Sequence, residues 1–302
     1  MEERRSRVVL GLDPDPAALW PEAVARVGGA GEAGADAPGA RRPSTLARVR
    51  TAEAVVEHCR AAIVAAGPAC VAVKPQLACF ERLGAPGWEA LEQVAAIARD
   101  HGLLVLADGK RGDVPVTAAA YAQALVGATP GPYGAVPGLG ADAFTANPLL
   151  GRDALGPLIE AAAAAGAGCF VLVRTSNRGA AELQDEGEPP LHERLAALVD
   201  ELGGEQRGDC GLSLVGAVTG ATRPEHLVRL RELMPHAIFL LPGVGAQGGR
   251  VDELGAAFAP HPAAGLVTAS RSIVDAHAER GGEPAAAAAE AAEELRAAAW
   301  SL

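Results

Sequence analysis

Short apolar runs recur along this chain of 302 residues, and helical spacing of apolar positions follows most of them. Runs of this kind, bounded by turn residues, are typical of buried parallel strands. In chain order they cover 8–12, 70–73, 103–107, 143–146, 169–173, 214–218, 237–241 and 265–269. Eight strands that alternate with helices over this length predict one (β/α)8 barrel, the TIM-barrel fold, as a single domain spanning 1–302.

The segments between the runs predict the outer helices of the barrel. They cover 44–66, 88–101, 115–127, 153–165, 190–202, 224–233 and 284–299, with a short helix before the eighth strand. Ser44 or Thr45 suits the N-cap of the first helix, and Pro115 suits a first helical turn. A doubly wound sheet would also alternate, but its glycine-rich turn follows the first strand. Here the glycine-rich run at 243–248 follows the seventh strand, which favours the barrel.

The stretch 27–43, near the start of the chain, is rich in glycine, alanine and proline and has no apolar periodicity. This composition is typical of flexible segments. We therefore expect a flexible surface insertion within the barrel domain, rather than a linker between two domains.

The net charge of −11 argues against nucleic acid or an anionic membrane as the main partner. It leaves room for a small anionic ligand, because a local cluster of positive groups can oppose the overall sign. No apolar run is long enough to span a membrane, and the charged start MEERRSR predicts that there is no signal peptide.

The cysteines and histidines show no pattern of a disulfide framework or a metal site. Five cysteines lie at irregular spacing without a C-x-x-C pair, which predicts unpaired thiols, mostly buried, and a reducing, cytoplasmic location. The seven histidines are scattered. We therefore expect no metal site built by the protein.

Charged residues follow the third apolar run in the stretch ADGKRGD, 107–113. Residues two apart on an extended strand share a face, so Asp108 and Lys110 should point the same way. Asp113 follows, and Gly109 and Gly112 allow the backbone to turn. A carboxylate beside an ammonium at the carboxyl end of a strand is a candidate functional site. The alternative is a solvated loop whose surface ion pair contributes about 0–1 kcal/mol.

The carboxyl ends of all eight strands should meet at one mouth of the barrel. The candidate residues placed there are Asp13, Lys74, Asp108, Lys110, Ser176, Gln247 and Arg271. The glycine-rich turn with Gly248 and Gly249, together with Arg271 after the eighth strand, predicts a phosphate site and hence a phosphorylated small substrate. The alternatives are structural: a lysine extending along a strand edge, a strand-ending Asp13, capping by 175–177, and a plain turn with a surface arginine.

These residues closely resemble the motifs of the orotidine 5′-phosphate decarboxylase family, and in particular its longer bacterial subgroup (type 2). The resemblance covers nearly the whole chain in the right order. It rests on Leu12-Asp13-Pro14, Lys74, Asp108-x-Lys110-x-x-Asp113, Thr117, Asn147-Pro148, Arg174-Thr175-Ser176-Asn177, Gly243-Val244-Gly245-Ala246-Gln247-Gly248-Gly249 and Arg271. Two positions depart from the family pattern, Gly109 where Ala is usual and Pro115 where Gly is usual, and both concern loop geometry.

The resemblance implies decarboxylation of orotidine 5′-phosphate to UMP in pyrimidine biosynthesis. The enzyme would be a homodimer with shared active sites and no cofactor. It implies a charge array of Lys74, Asp108, Lys110 and the partner subunit's Asp113, in which Lys110 protonates C6. It further implies that Asp13 and Lys74, with Thr117 of the partner subunit, hold the ribose, and that Ser176 contacts the pyrimidine. Gln247 would bridge the base and the phosphate, and Gly248, Gly249 and Arg271 would bind the phosphate. The loop after the seventh strand would close as a lid.

Two other functions remain open from the sequence. One is a related phosphosugar decarboxylase or aldolase, such as 3-keto-gulonate 6-phosphate decarboxylase, which binds Mg2+ through acidic residues at strand ends. Lys74 at the end of the second strand is a poor neighbour for a cation. The other is a catalytically silent, phosphate-binding barrel, for which buried like charges would serve no purpose.

Overall fold

The computed structural model describes residues 1–28 and 45–302, and its central feature is a closed barrel of eight parallel strands. The strands of the chain are β1 Val8–Leu12, β2 Ala72–Pro75, β3 Leu104–Arg111, β4 Ala128–Thr129, β5 Val136–Pro137, β6 Ala143–Ala146, β7 Gly168–Arg174, β8 Ser213–Thr219, β9 Ala237–Leu241 and β10 Gly265–Ala269. The barrel order is β1-β10-β9-β8-β7-β6-β3-β2. Leu10 pairs with Val73 on one side and with Ala269 on the other, so β1 closes the ring. The predicted (β/α)8 barrel is confirmed.

Helices surround the barrel in the described part of the chain. They are α1 Pro21–Arg26, α2 Thr45–Ala66, α3 Leu77–Glu81, α4 Ala85–Asp100, α5 Pro115–Leu125, α6 Arg152–Ala165, α7 Ala181–Gln184, α8 Leu191–Gly203, α9 Glu225–Leu233, α10 Arg271–Val274, α11 Ala276–Arg280 and α12 Pro284–Trp300. Short 3-10 turns cover Gly67–Ala69, Arg178–Ala180, Val251–Glu253, Gly255–Phe258 and Pro262–Ala264. No helix within 1–28 and 45–302 combines the length and apolar character that crossing a bilayer requires.

Several boundaries differ from the predicted ones. Strand β2 begins and ends two residues later than predicted, and β3 continues through its charged residues to Arg111. The extension follows from pairing with β6, where Arg111 lies opposite Ala146 beyond a register shift. The charged motif therefore lies largely on a strand, and the alternative of a solvated loop is wrong for Asp108 and Lys110.

Some local elements have no counterpart in the prediction. Helices α1 and α3 were not predicted, a two-stranded hairpin of β4 and β5 occupies a predicted loop, and 3-10 turns replace the short helix before β10. Helix α2 begins at Thr45, whereas Ser44 and residues 29–43 of the predicted insertion lie outside the described residues. Pro115 occupies the first turn of α5 as predicted.

The barrel interior is filled by side chains at alternate strand positions. Val9, Leu106, Phe170, Leu240 and Leu266 belong to one inner cluster, whereas their strand neighbours pack against the helices. On β2 and β3 the inward series continues toward the carboxyl ends, because strand side chains alternate between two faces. It passes from apolar residues low in the barrel to charged residues at the upper mouth.

The five cysteines are all unpaired, as predicted. Cys59, Cys70 and Cys169 are buried, Cys79 is half-buried, and Cys210 is exposed. Burial raises the pKa of the Cys70 thiol to about 12, which keeps it protonated and unreactive at neutral pH.

Candidate active site

A cavity of about 370 Å³ opens at the carboxyl ends of the barrel strands. Seven predicted site residues share it with residues of two further strands, β6 and β8, so all eight barrel strands contribute to it. The predicted residues that line it are Asp13, Lys74, Asp108, Lys110, Ser176, Gln247 and Arg271. Parallel strands deliver their carboxyl ends to one rim, so residues far apart in sequence meet here.

A buried carboxylate lies between two ammonium groups on the wall of this cavity. Asp108 Oδ2 is 2.7 Å from Lys74 Nζ, and Asp108 Oδ1 is 2.6 Å from Lys110 Nζ. Lys74 Nζ also lies 4.0 Å from Asp13 Oδ1. The side chains of Lys74 and Asp108 are only 9% and 8% exposed, whereas that of Lys110 is 41% exposed. Lys110 is therefore the ammonium of this pair that a bound molecule reaches most directly.

Lys74 and Asp108 hold each other in their charged forms. Burial alone would raise the pKa of Asp108, but Lys74 and Lys110 outweigh it and lower the pKa to about 2. Burial alone would lower the pKa of Lys74, but the Asp108 and Asp13 carboxylates raise it above its ordinary value. The site is thus a preorganised set of charges at neutral pH.

The chain has only two lysines, and both belong to this array. Every other basic residue except histidine is arginine, whose guanidinium keeps its proton at any physiological pH. An ammonium, in contrast, can donate a proton to a strongly basic carbon. Lysine usage is therefore a sequence feature that points to these two positions, and the sequence analysis overlooked it.

Two polar residues that the sequence analysis missed complete the surroundings of Asp108. Thr145 Oγ1 donates to Asp108 Oδ1 at 2.9 Å and accepts from the Lys110 N–H at 2.8 Å. Gln76 Nε2 donates to Asp108 Oδ2 at 3.3 Å. Thr145 is almost fully buried and is the polar residue of the otherwise apolar strand β6. A single threonine in a strand is common, so only its register opposite β3 reveals the role.

The backbone of Lys110 has a φ of +48°, in the left-handed region that non-glycine residues rarely adopt. The hydrogen bond from its N–H to Thr145 stabilises this conformation. Lys110 lies within the register shift between β3 and β6. Thr145 therefore fixes both the backbone that carries Lys110 and the carboxylate that Lys110 contacts.

The neighbouring Gly109 leaves space for a helix to approach β3. A Cβ at this position would lie 2.6 Å from Leu77 Cδ1, and Leu77 is the first residue of α3. The departure from Ala at this position therefore accompanies close packing of the buried Leu77 beside the charge array.

The end of β7 is fixed by residues behind the cavity wall. Arg174 is buried and donates to both oxygens of Asp185, at 2.7 and 2.9 Å. Gln184 Oε1 accepts from the Thr175 N–H at 2.8 Å, and Thr222 Oγ1 donates to the Ser176 carbonyl at 3.1 Å. These bonds hold the backbone that presents Ser176 to the cavity. Capping by 175–177 alone, the structural alternative, does not account for the cavity-lining position of Ser176 and Asn177.

The glycine-rich loop after β9 folds back on itself beside α10. Gly245 N–H donates to the Gly249 carbonyl, and Gly249 N–H to the Gly243 carbonyl, both at 3.0 Å. Gly243, Gly245 and Gly248 have φ values of +101°, +74° and +90°, which only glycine adopts without strain. Gln247 reaches the cavity, and Arg271 at the start of α10 lines it as well. Gly248 and Gly249 lie outside the cavity lining, so their phosphate contacts stay a prediction.

Besides Gly248 and Gly249, two further predicted site residues do not line this cavity. Asp113 precedes α5, and its Oδ1 accepts from the Val114 N–H at 2.7 Å. Thr117 is exposed on α5. Neither lines the cavity of its own chain, so their roles at a shared site stay predictions.

Within residues 1–28 and 45–302, no group of three or more His, Cys, Asp or Glu side chains is arranged to hold a metal ion. The carboxylates that do reach the cavity, Asp13 and Asp108, each lie within 4.0 Å of the Lys74 ammonium. An ammonium at this distance repels a divalent cation.

Comparisons with known proteins identify the family of the chain. The orotidine 5′-phosphate decarboxylase of Deinococcus radiodurans is 47% identical over 210 residues, covering 69% of this chain and 73% of the relative. That of Halorubrum lacusprofundi is 40% identical over 288 residues, covering 92% and 86%. The crystal structure of a putative orotidine-monophosphate decarboxylase from Toxoplasma gondii superposes with a TM-score of 0.73 at 30% identity, over 99% of this chain and 94% of that one. A family model matches residues 6–291, and the chain belongs to the orotidine 5′-phosphate decarboxylase / HUMPS family.

Proposed function

We propose that this chain decarboxylates orotidine 5′-phosphate to UMP, with Lys110 as the proton donor to C6. The observation that carries the proposal is the array of Lys74, Asp108 and Lys110 on the wall of a cavity that also contains Arg271. The relatives that share the chain's sequence over most of its length bear the name of this enzyme.

The reaction breaks the bond between C6 and the carboxylate, and the electron pair remains on C6 as CO2 leaves. The resulting carbanion is stabilised by the Lys110 ammonium and then takes its proton, after which solvent reprotonates the lysine. Preorganised charge in a cavity shielded from water stabilises such an anion far more than bulk water does. Enzymes lower barriers by about 8–23 kcal/mol, and this carbanion with little delocalisation requires the upper part of that range.

Asp108 supplies the opposing part of the array. Its carboxylate stays ionised because its pKa is about 2, so it would repel the substrate carboxylate beside it. That repulsion is relieved when CO2 departs. Binding of the distant phosphate and ribose supplies the free energy that brings the two carboxylates together.

The other predicted residues bind the remaining parts of the substrate. Asp13, 4.0 Å from Lys74, would contact the ribose hydroxyls together with that lysine. Ser176 would contact the pyrimidine. Gln247, Gly248, Gly249 and Arg271 would hold the phosphate, with the glycine-rich loop closing over it as a lid.

A homodimer with shared active sites accounts for Asp113 and Thr117. Both lie at or near the start of α5 and outside the cavity of their own chain. Val114 and Val116 beside them are 55% and 85% exposed, which gives this face an apolar surface for a second subunit. We place the enzyme in the cytoplasm, because its five cysteines are unpaired.

The metal-dependent phosphosugar enzymes of the same family are the second candidate. They require a cation at the strand ends, where this chain has the Lys74 ammonium. A silent phosphate-binding barrel is the third, and it would gain nothing from a buried carboxylate between two lysines.

Loss of orotidine absorbance, measured with and without EDTA, tests the proposal. We expect turnover that EDTA leaves unchanged. Lys110→Ala should abolish turnover. The control Arg229→Gln should retain it, because Arg229 pairs with Glu193 and Glu232 on the surface. Turnover that EDTA abolishes would favour the metal-dependent enzymes. Binding of UMP without any turnover would favour the silent barrel.

A further inference from the structure

A second cavity, of about 230 Å³, lies behind the active cavity on the side of β7 and β8. All of its lining side chains can donate hydrogen bonds, and none of them is a carboxylate. The lining residues are Arg174, Ser176, Asn177, Arg178, Thr222, Arg223 and Gln247. We propose that this polar pocket binds a tetrahedral oxyanion of the phosphate class and thereby acts on Gln247.

The charges of the three arginines are only partly neutralised. Arg174 is paired with Asp185 through two hydrogen bonds. Arg223 contacts Glu225 at 3.2 Å, in a pair whose side chains are both 56% exposed, and solvent makes such pairs weak. Arg178 has no ion pair with any residue of the described chain. The polar pocket therefore keeps a positive character in a protein whose net charge is −11.

The chemistry of the lining selects the ligand class. Guanidinium groups bind phosphate oxygens through paired hydrogen bonds, and hydroxyl and amide groups supply further donors. A volume of about 230 Å³ accommodates a phosphate ion with several waters, since each water of the liquid occupies about 30 Å³. An apolar or cationic ligand would leave these donors without partners.

This polar pocket differs from the phosphate site predicted in the active cavity. Arg271 and Ser272 line the active cavity and not the polar pocket, whereas Arg178 and Arg223 line the polar pocket and not the active cavity. Ser176, Asn177 and Gln247 line both, so they form a shared wall. An anion on one side of this wall and a substrate on the other would compete for the Gln247 amide.

This competition gives the polar pocket a consequence for the reaction, and that part of the inference rests on the proposed function. Phosphate bound there draws Gln247 away from the substrate. It should raise KM while leaving kcat unchanged, because a saturating concentration of substrate recovers the Gln247 amide from the bound anion.

Calorimetric titration with inorganic phosphate at low ionic strength tests the polar pocket itself, without any measurement of activity. We expect two phosphate ions per chain in the wild type and one in Arg271→Gln. We also expect one phosphate ion per chain in the double variant Arg178→Gln/Arg223→Gln, because the phosphate affinity of the polar pocket falls by at least about tenfold. The control Arg229→Gln should keep both. One phosphate in the wild type, or two in the double variant, would overturn the inference.

Nucleotide titrations distinguish the source of the anion. If the polar pocket takes free phosphate, one phosphate still binds to protein saturated with UMP, and this binding is lost in the double variant. If it takes the terminal phosphates of a nucleotide, UTP binds more tightly than UMP and loses this advantage in the double variant. The absence of both behaviours would contradict the inference. Because these titrations measure binding alone, their outcome is independent of whether orotidine 5′-phosphate is decarboxylated.

Discussion

Thr145 shows how one buried hydroxyl can position Lys110, the proposed proton donor. It bonds both to the Asp108 carboxylate and to the backbone N–H of Lys110. A valine has nearly the same shape but neither bond. The geometry of the array therefore depends on a residue that is not itself charged.

We expect Thr145→Val to lower kcat by about 10- to 100-fold with little change in KM. A hydrogen bond to a charged group, such as that to Asp108, contributes about 1.5–3 kcal/mol. Without it and the bond from the Lys110 N–H, the array loses its alignment. Thr145→Ser should restore kcat to within a few-fold of the wild type, since it keeps the hydroxyl. Steady-state kinetics of both variants measure this, and a Thr145→Ser variant as slow as Thr145→Val would contradict the positioning role.

The lowered pKa of Asp108 predicts how stability depends on pH. A carboxyl with a folded-state pKa of about 2 and an ordinary pKa of 3.8 contributes stability that is fully present above pH 4. That contribution, on the order of 2 kcal/mol, is lost as the pH falls through the folded-state value. Asp108→Asn lacks the carboxyl, so its unfolding free energy should fall less between pH 4 and pH 2.

Urea unfolding of both proteins across this pH range measures the difference. Asp252→Asn is the matched control, because Asp252 pairs with Arg250 on the surface, where solvent screens the charge. Parallel curves for the wild type and Asp108→Asn would show that Asp108 is not held in its charged form.

At the scale of elements, the turn between β3 and α5 depends on Gly112. A Cβ at this position would lie 2.7 Å from the Asn147 carbonyl oxygen and 3.0 Å from Asn147 Cβ. The Asn147 N–H also donates to the Arg111 carbonyl at 2.8 Å. The close approach of the β6 end therefore fixes the path of the chain toward Asp113.

We expect Gly112→Ala to destabilise the protein by about 1–3 kcal/mol, because the backbone of Asn147 must move. The matched control is Gly255→Ala in the 3-10 turn Gly255–Phe258, where an added Cβ meets no atom within 4 Å. That change should leave the stability of the protein within about 0.5 kcal/mol of the wild type. Chemical unfolding of both variants measures the effect, and equal stabilities would show that the turn adapts freely.

Apolar runs predicted the strands well where turn residues bound them on both sides. Strands β1 and β9 match the predicted limits, whereas β3 extends through Lys110 because pairing with β6 stabilises charged residues in the ladder. The same alternation predicted that Asp108 and Lys110 share a face, and they are in contact. Contacts such as that of Thr145 depend on the register between strands distant in sequence, which the local pattern does not contain.

At the scale of the whole molecule, the proposed shared site predicts complementation between inactive subunits. Lys110→Ala and Asp113→Asn should each be nearly inactive, since each removes one member of every array. When the two variants are mixed and allowed to exchange subunits, a heterodimer has one intact site and one doubly altered site. Roughly a quarter of all sites should then be active.

Turnover before and after mixing measures this restoration, with mass spectrometry of the intact dimers verifying exchange. A mixture of Lys110→Ala with Lys74→Ala serves as the control, because both residues belong to the same chain's cavity. A heterodimer of these two has one altered lysine in each site, so no activity should return. Exchange without restoration in the first mixture would place Asp113 outside the partner's site.

The restriction of lysine to two positions makes the proposed reaction centre directly visible to spectroscopy. Protein grown with 15N-lysine would carry isotope in only two side-chain amines, those of Lys74 and Lys110. A nitrogen spectrum would then report the protonation of both amines with no background from other side chains, in a protein of 30.5 kDa. Amine-directed reagents would likewise find side-chain targets only at this mouth of the barrel.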